Sequence, residues 1–313
     1  MNILIPKFNW RGYAYGSISL CMIMKNEAKR LQRCLNSVRG LVNDIIICDT
    51  GSTDGSVEIA RQNGCKVLSD PWQNDFSRPR NLSIGAAKSD WILIMDPDEI
   101  ILRRHHQAMK ELTLSKKFVA YQLTTRNYAR NPHELNYRTL LHGLDPSGQF
   151  SGFVPSTKTR FFKNGLGIIF EGCWHELLDW YILRNKLLAA QAPIPIHHWA
   201  NEMTQSSRKE KAAFYIALGE KKVKEWPTCG QAWWELGVAE AIQGFRYRAA
   251  RSLLKAFSLG FGSSQQYATL ARIYNMTGYK EKGALAFEKA VCGIYPNLTH
   301  INPQLKTLDK LTK

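Results

Sequence analysis

An α/β fold is what this sequence predicts: a doubly wound sheet followed by a separate all-α domain. Three observations carry that prediction. Between residues 18 and 95, short apolar runs alternate with helical stretches. From Val119 onward the pattern changes to extended runs separated by irregular polar segments. In the last third of the chain a helical pattern repeats at a fixed period. Strands alternating with helices at short intervals pack as a parallel sheet crossed over by helices.

Ile18-Ser19-Leu20-Cys21-Met22-Ile23-Met24 reads as a buried strand, too short and too rich in branched residues for a helix. Lys25-Asn26-Glu27 opens a helix with Leu31, Cys34, Leu35 and Val38 on one face, and Gly40 ends it. Ile45–Asp49 is a second strand, followed by the turn Thr50–Thr53 and a helix that Asp54 can N-cap. Cys65–Leu68 makes a third strand, Asn81–Lys88 a helix and Trp91–Met95 a fourth strand. Ligands of such sheets lie beyond the carboxyl ends of the strands, where Asp49 and Asp96 fall.

Val119–Thr125 reads as a further strand, and Thr159–Phe162 with Gly167–Phe170 as a hairpin about Asn164-Gly165. Asn131 to Pro155, rich in Pro, Gly and polar residues, reads as an irregular loop region long enough to suggest function. Ile194–His198 is a short final strand whose proline favours a sheet edge.

Helical composition runs from about Ser206 to the end. Trp233, Leu236, Gly237, Gly244, Phe245, Ala250, Leu253 and Ala256 realign with Tyr267, Leu270, Ala271, Gly278, Tyr279, Ala284, Phe287 and Ala290, each pair 34 residues apart. That is the period of a tetratricopeptide repeat, a helical hairpin whose small residues allow close approach while large ones fill the groove. Trp233, Tyr267, Leu236 and Leu270 are expected to share one core, with the preceding helix, Lys209 to Glu225, capping the stack. The boundaries are an extension over 1–16, the sheet domain over 17–205 and the helical domain over 206–313.

Composition narrows the function classes. Of 313 residues, 44% are hydrophobic and 22% charged, as in ordinary globular proteins, and no apolar run is long enough to span a bilayer. The start of the chain lacks a signal-peptide cleavage pattern. Seven cysteines form no C-x-x-C pair, and Cys21, Cys48 and Cys65 read as buried thiols, so a reducing, cytoplasmic compartment is expected. The net charge of +16 favours anionic partners: nucleoside diphosphates, an acidic acceptor or an anionic membrane face. No nucleic-acid recognition motif accompanies that charge, which leaves nucleic acid a minor candidate.

Asp96-Pro97-Asp98-Glu99, directly after a strand, is the sharpest chemical signal. Carboxylates two residues apart on an extended chain point to one side and can hold a hard divalent cation. Such an ion, Mn2+ or Mg2+, neutralises the charge that grows on a departing diphosphate. Acidic turns after strands are common, so D-x-D alone is weak.

The motif does not stand alone. Ser19-Leu20-Cys21-Met22-Ile23-Met24-Lys25-Asn26-Glu27, then Asp49-Thr50-Gly51-Ser52-Thr53-Asp54-Gly55, Arg80-Asn81 and Asp96-Pro97-Asp98-Glu99 together resemble a family-2 glycosyltransferase of GT-A fold. Trp72-Gln73-Asn74-Asp75-Phe76-Ser77 is similar to the branch that joins tetratricopeptide repeats to the transferase, which includes the sublancin S-glycosyltransferase. Trp174-His175-Glu176 resembles the "His-Glu" motif of lipopolysaccharide core glycosyltransferases. The likeness runs from about Ser17 to Pro296, with Pro97 where the family more often has alanine.

The resemblance implies a mixed GT-A sheet and a nucleoside-diphosphate sugar donor, with a UDP-sugar the leading candidate. It places Asp49 at the nucleotide base, with Asp54 either shaping that pocket or capping its helix. Arg80 suits the diphosphate, because a guanidinium grips two phosphate oxygens. Asp96 faces ribose or metal, and Asp98 is the foremost metal ligand. Asp75 contacts donor or acceptor, or simply caps a helix. Inverting transfer needs a base for the acceptor's proton, for which Glu176 is the candidate, while His175 meets metal, phosphate or acceptor. Of His197 and His198, one can reach the metal, though structural histidines are the simpler reading. Trp72, Trp91, Trp174 and Trp199 read as core aromatics.

The expected activity is transfer of a sugar to a peptide, protein or glycan acceptor, with inversion and metal assistance. The rival reading is a non-catalytic tetratricopeptide scaffold carrying a degenerate nucleotide-sugar domain. The helical repeats can capture an acceptor, form a homodimer or dock the protein elsewhere, including peripheral contact with a membrane.

Overall fold

The computed structural model describes residues 14–132, 136–140, 145–199 and 205–276, together with Gly283 and Ala286. The chain divides into two compact units, Met1–Asn201 and Glu202–Lys313. Most of the expected extension over 1–16 lies outside the described residues.

Among its described residues the first unit is a sheet of nine strands with helices interleaved. In chain order these are β1 (Ile18–Met24), α1 (Ala28–Val38), β2 (Asp44–Asp49), α2 (Ser56–Gln62), β3 (Lys66–Ser69), α3 (Ser77–Gly85) and β4 (Trp91–Ile94). There follow β5 (Glu99–Ile100), a 3-10 turn (Arg103–His105), α4 (His106–Leu112), β6 (Ala120–Ala129), β7 (Arg138–Thr139), β8 (Gly152–Lys163), α5 (Asp179–Arg184) and β9 (Ala189–Trp199). The order across the sheet is β3-β2-β1-β4-β8-β6-β9-β5, with β7 on β8. The β3-β2-β1-β4 half is parallel. β8 runs antiparallel to β4 and β6, β9 parallel to β6 and β5 antiparallel to β9, which gives the mixed sheet that the family resemblance implies.

β1 is apolar apart from Ser19, whose hydroxyl donates to Asp44 at 2.6 Å, because both of its faces are covered. Ile18, Leu20, Met22 and Met24 pack with Leu31, Leu35 and Val38 of α1. Cys21 points the other way, toward Ile46, Ile84, Ile92 and Phe170. The twofold alternation of a strand thus sorts the core into two layers. Trp91 stacks on Phe161 at 4.9 Å as one of the expected core aromatics.

Three elements differ from expectation. Gly167–Phe170 forms no strand, so the hairpin about Asn164-Gly165 is absent. Both edges of β8 are already occupied by β4 and β6, and Phe170 instead exchanges hydrogen bonds with the Asn81 side chain. β8 begins at Gly152, inside the expected loop region. β9 is eleven residues long rather than short, and β5 covers its outer side only at His197 and His198, leaving Pro193 and Pro195 beyond that pairing.

The second unit contains α6 (Gln205–Glu225), α7 (Gly230–Ile242), α8 (Arg246–Ser258) and α9 (Ser264–Met276). α7 and α9 start and end 34 residues apart, in step with the sequence repeat. Gly237 lets α7 and α8 approach: a Cβ there would meet Leu253 Cγ at 2.8 Å. The expected single core is divided in two. Trp233 and Leu236 pack with Ile216 and Val223 of α6, whereas Tyr267 and Leu270 pack with Leu253 and Phe257 of α8. Equivalent residues face the preceding helix, so each successive helix pair has its own seam. Gly278, Tyr279, Ala284, Phe287 and Ala290 lie outside the described residues.

Candidate active site

The carboxyl ends of β1, β2 and β4 are adjacent on one edge of the sheet. After β1 and β2 the loops interlock through side-chain hydrogen bonds to backbone amides. Asn26, with φ of 56°, accepts from the Thr53 amide through Oδ1 at 2.8 Å, and its own amide donates to Ser52 Oγ at 2.9 Å. Asp49 is buried, and its carboxylate accepts from the amides of Gly51 and Ser52 and from the Ser52 hydroxyl. Asp54 accepts from the Ser56 amide and hydroxyl and, at 3.2 Å, from the Ala28 amide, so it ties the starts of α1 and α2 together. Asp75 caps α3 through Ser77 and the Arg78 amide. For both residues the capping role is visible directly.

The end of β4 is held by charge. Glu99 is buried and receives both Arg160 Nη1 and Nη2 at 3.0 Å, and its Oε2 also accepts the Asp96 amide at 2.8 Å. A bidentate guanidinium fixes Glu99 and hence the turn over Asp96–Asp98. Arg160 reaches this position because β8 carries a bulge. Tyr121 pairs with Phe161 and Gln122 with Thr159, leaving Arg160 as an extra residue. A regular strand alternates its side chains, but here Lys158, Thr159 and Arg160 all line one cleft.

That cleft, partly open to solvent, is also lined by Arg80, Asp96, Phe170, Glu176 and Asp179. Arg80 comes from α3 and joins two distant motifs: Nε donates to Glu176 at 2.6 Å and Nη2 to Asp96 at 3.0 Å. Its Nη1 is buried without a hydrogen-bond partner among the described residues. Burial opposes ionisation of Asp96, but the Arg80 and Arg160 guanidinium groups outweigh it and hold the carboxyl well below the ordinary carboxylate range. Lys158 stands at the mouth of the cleft, where desolvation and Arg160 push its amine below the usual value.

Glu176 is presented by a short loop clasped at its base. Glu171 and Leu177 exchange backbone hydrogen bonds of 3.3 Å, and the Phe76 amide donates to the Cys173 carbonyl at 2.9 Å. Gly172 (φ 96°) and His175 (φ 47°) take left-handed backbone to turn the loop. This geometry buries Trp174, aims Glu176 into the cleft and leaves His175 exposed outside its lining.

Asp98 belongs to a different group. Its Oδ2 lies 3.2 Å from His198 Nε2 and 3.7 Å from Arg30 Nη1. His198 Nδ1 faces Asn127 Oδ1 at 2.8 Å, so that nitrogen carries the proton when the ring is neutral and Nε2 is left as a ligand. Burial, the largest single influence, disfavours a protonated His198, but the Asp98 hydrogen bond and the negative charges of Asp98, Glu99 and Asp96 together outweigh it, raising the imidazole above its ordinary value. His197 is fully buried, with Nδ1 at 2.7 Å from the Tyr128 hydroxyl; burial and then Arg126 lower it to about 4. No set of three His, Cys, Asp or Glu side chains able to hold a metal converges among the described residues. An Asp98–His198 pair nonetheless fits a divalent cation that takes its other ligands from water and a diphosphate.

The structure therefore gathers Arg80, Asp96 and Glu176 into one cleft, places Asp98 with His198, and engages Asp49 and Asp54 in the loops after β1 and β2. Sequence reasoning passed over Lys158, Thr159, Arg160 and Asp179. Their signal was a pair of cations two residues apart immediately before Phe161-Phe162, an unusual pattern for a strand entering a core.

The sequence matches the model of Glycosyl transferase family 2 over residues 19–178. A TPR repeat-containing protein of Synechococcus elongatus is 37% identical over 185 residues, 59% of this chain and 40% of that protein. The SPbeta prophage-derived glycosyltransferase SunS of Bacillus subtilis is 27% identical over 162 residues, 51% of this chain and 34% of the relative. The matches thus span two fifths or less of these curated relatives. Among solved structures, S. aureus TarS 1-349 in complex with UDP-GlcNAc is 13% identical, covering 88% of this chain and 92% of that one with a TM-score of 0.47. The family model covers half of the chain, from within β1 to Leu178, and includes the cleft's Arg80, Asp96, Arg160 and Glu176: the chain belongs to glycosyl transferase family 2.

Proposed function

We propose that the protein transfers a sugar from a nucleoside-diphosphate sugar, with UDP as the leading nucleotide, to a peptide, protein or glycan acceptor with inversion. The observation that carries this reading is Arg80, which joins Asp96 and Glu176 within a single cleft at the carboxyl edge of the sheet. Family membership supports a nucleotide-sugar donor.

In this reading Asp49 and the loop it shapes receive the nucleotide base, with Asp54 bracing that loop from behind. Asp96 binds the ribose or shares in the metal site. Asp98 and His198 hold a divalent cation, which when bound neutralises negative charge on the leaving diphosphate. Arg80 positions Glu176 and Asp96 and adds positive charge beside the diphosphate. Glu176 accepts the proton of the acceptor nucleophile as that atom bonds to the anomeric carbon and the bond to the diphosphate breaks. His175, exposed beside it, contacts the acceptor.

Donor hydrolysis with and without Mn2+ tests the assignment. Turnover should require the ion, and Asp98→Asn should abolish the metal-dependent part while the protein keeps its melting temperature. Undiminished turnover in Asp98→Asn, with EDTA harmless to the wild type, would end the metal assignment. No helix among the described residues is long and apolar enough to cross a membrane.

A further inference from the structure

Beside the Asp98–His198 pair, the sheet carries a cluster of rings, each faced by a guanidinium. Arg33 lies 4.5 Å above the Trp199 ring, Arg126 lies 5.1 Å from the Phe153 ring and Arg130 lies 5.3 Å from the Phe150 ring. Tyr128 links the rings, at 5.2 Å from Trp199, 5.8 Å from Phe150 and 6.4 Å from Phe153. Arg33 and Arg130 are exposed and Arg126 is half-buried. Arg33 and Arg126 make no ion pair among the described residues. The nearby Asp145 carboxylate is used by its own loop, accepting from the amides of Ser147, Gln149 and Phe150.

We propose that this guanidinium face binds an acceptor that carries phosphate groups and presents it to the transfer centre. The inference rests on the transferase reading above and gives its acceptor a chemical class. Three adjacencies place the face next to the centre. Arg33 is one helical turn after Arg30, whose guanidinium lies 3.7 Å from Asp98. Trp199 follows His198 in β9. Arg126 precedes Asn127, which orients the His198 ring.

The chemistry selects among anionic partners. Held on their rings by cation–π attraction, Arg33 and Arg126 can turn N–H groups outward for a planar, bidentate grip on phosphate, and Arg130 adds its positive charge beside them. Single-stranded nucleic acid is recognised by stacking bases on open ring faces, and here Arg33, Arg126 and Arg130 sit on those faces. A membrane surface is met by protruding apolar side chains, whereas Trp199, Phe150 and Phe153 are half-buried.

Short-chain inorganic polyphosphate, titrated calorimetrically into the full chain, is the probe. Wild type should bind it with an affinity that falls as salt rises. The triple variant Arg33→Gln, Arg126→Gln, Arg130→Gln should bind about tenfold or more weakly, while UDP with Mn2+ binds both proteins within about twofold, as expected for separate sites. The corresponding triple lysine variant keeps the charge without the planar fork and should retain part of the affinity. Should the triple variants melt early, Arg33→Gln alone, at an exposed helical position, must still weaken binding. The proposal is overturned if wild type does not bind polyphosphate, if Arg33→Gln and the glutamine triple bind it like wild type, or if UDP displaces it. Equal binding of oligoglutamate or of anionic vesicles would overturn it too, in favour of an acidic peptide or a membrane. If UDP binds neither protein yet the triple still loses polyphosphate, the donor assignment fails and the anion face stands.

Discussion

The loops after β1 and β2 and the cleft after β4 share one edge of the sheet but are fixed by different forces. In the first region Asn26, Asp49 and Asp54 spend their side chains on backbone amides and serine hydroxyls, which sets loop shape. In the second, Glu99–Arg160, Arg80–Asp96 and Arg80–Glu176 are ion pairs drawn from distant parts of the chain. Amide hydrogen bonds suit a surface that must match a ligand's outline. Paired charges suit a place where charge moves during a reaction, because their directions are set before the substrate arrives. One sheet edge is thus held in two ways, by carboxylate hydrogen bonds to loop backbone after β1 and β2 and by ion pairs after β4.

That division can be broken most severely at Glu176. Glu176→Gln keeps the shape of the side chain and removes its basicity, so sugar transfer should fall by about 10²- to 10⁴-fold. UDP affinity measured calorimetrically should change little, and a large loss of both would merge the two regions. Next in size is Glu99→Gln, which takes from buried Arg160 its bidentate partner and leaves the Asp96 carboxylate, 3.7 Å away, as its counter-charge. Removing one partner of a buried pair costs about 3–5 kcal/mol, readable as a lower urea midpoint. Asp49→Ala should do the reverse of Glu176→Gln. It strips acceptors from the Gly51 and Ser52 amides, costs about 1–3 kcal/mol and weakens UDP binding at least as much as it slows turnover.

The mildest test uses acid. Bonds from the Ser56 hydroxyl and then the Ser56 and Ala28 amides hold the Asp54 carboxyl below its ordinary value. A depressed folded-state pKa gives stability that is present above the unfolded value, about pH 4, and is lost as pH falls through the folded one. Asp54→Asn should therefore be slightly less stable at neutral pH, with the two melting curves converging as the solution is acidified below about pH 4. Parallel curves would show that Asp54 contributes shape and no charge.

Much of this architecture was legible because local pattern decides it. The strand Ile18–Met24 and the face formed by Leu31, Cys34, Leu35 and Val38 needed no tertiary information, and both are buried except for half-buried Ile23. The motif Asp96–Glu99 was legible as acidic chemistry at a strand end, and the 34-residue spacing anticipated α7 and α9. Contacts made at long range were not legible. Arg80 meets Glu176 across 96 positions and His198 meets Asp98 across 100, and no local periodicity encodes such a pairing. The failed hairpin has the same origin. Asn164-Gly165 is a sound local turn signal, but β4 and β6 had taken both edges of β8. Trp233 and Tyr267 were recognisable as equivalent residues, yet equivalence in a repeat means separate seams rather than a shared one.

The bulge at Arg160 changes how this strand tolerates mutation. One surplus residue shifts the in-and-out phase of everything before it relative to everything after it. Deleting Arg160 would let the ladder close without interruption while Phe161 and Phe162 keep their partners. The deletion would also remove the countercharge of Glu99 and the step that turns three successive side chains toward one cleft. A smoother, more regular sheet would thus be a worse enzyme. Selection acting on this segment should conserve its residue count as strictly as its residue types.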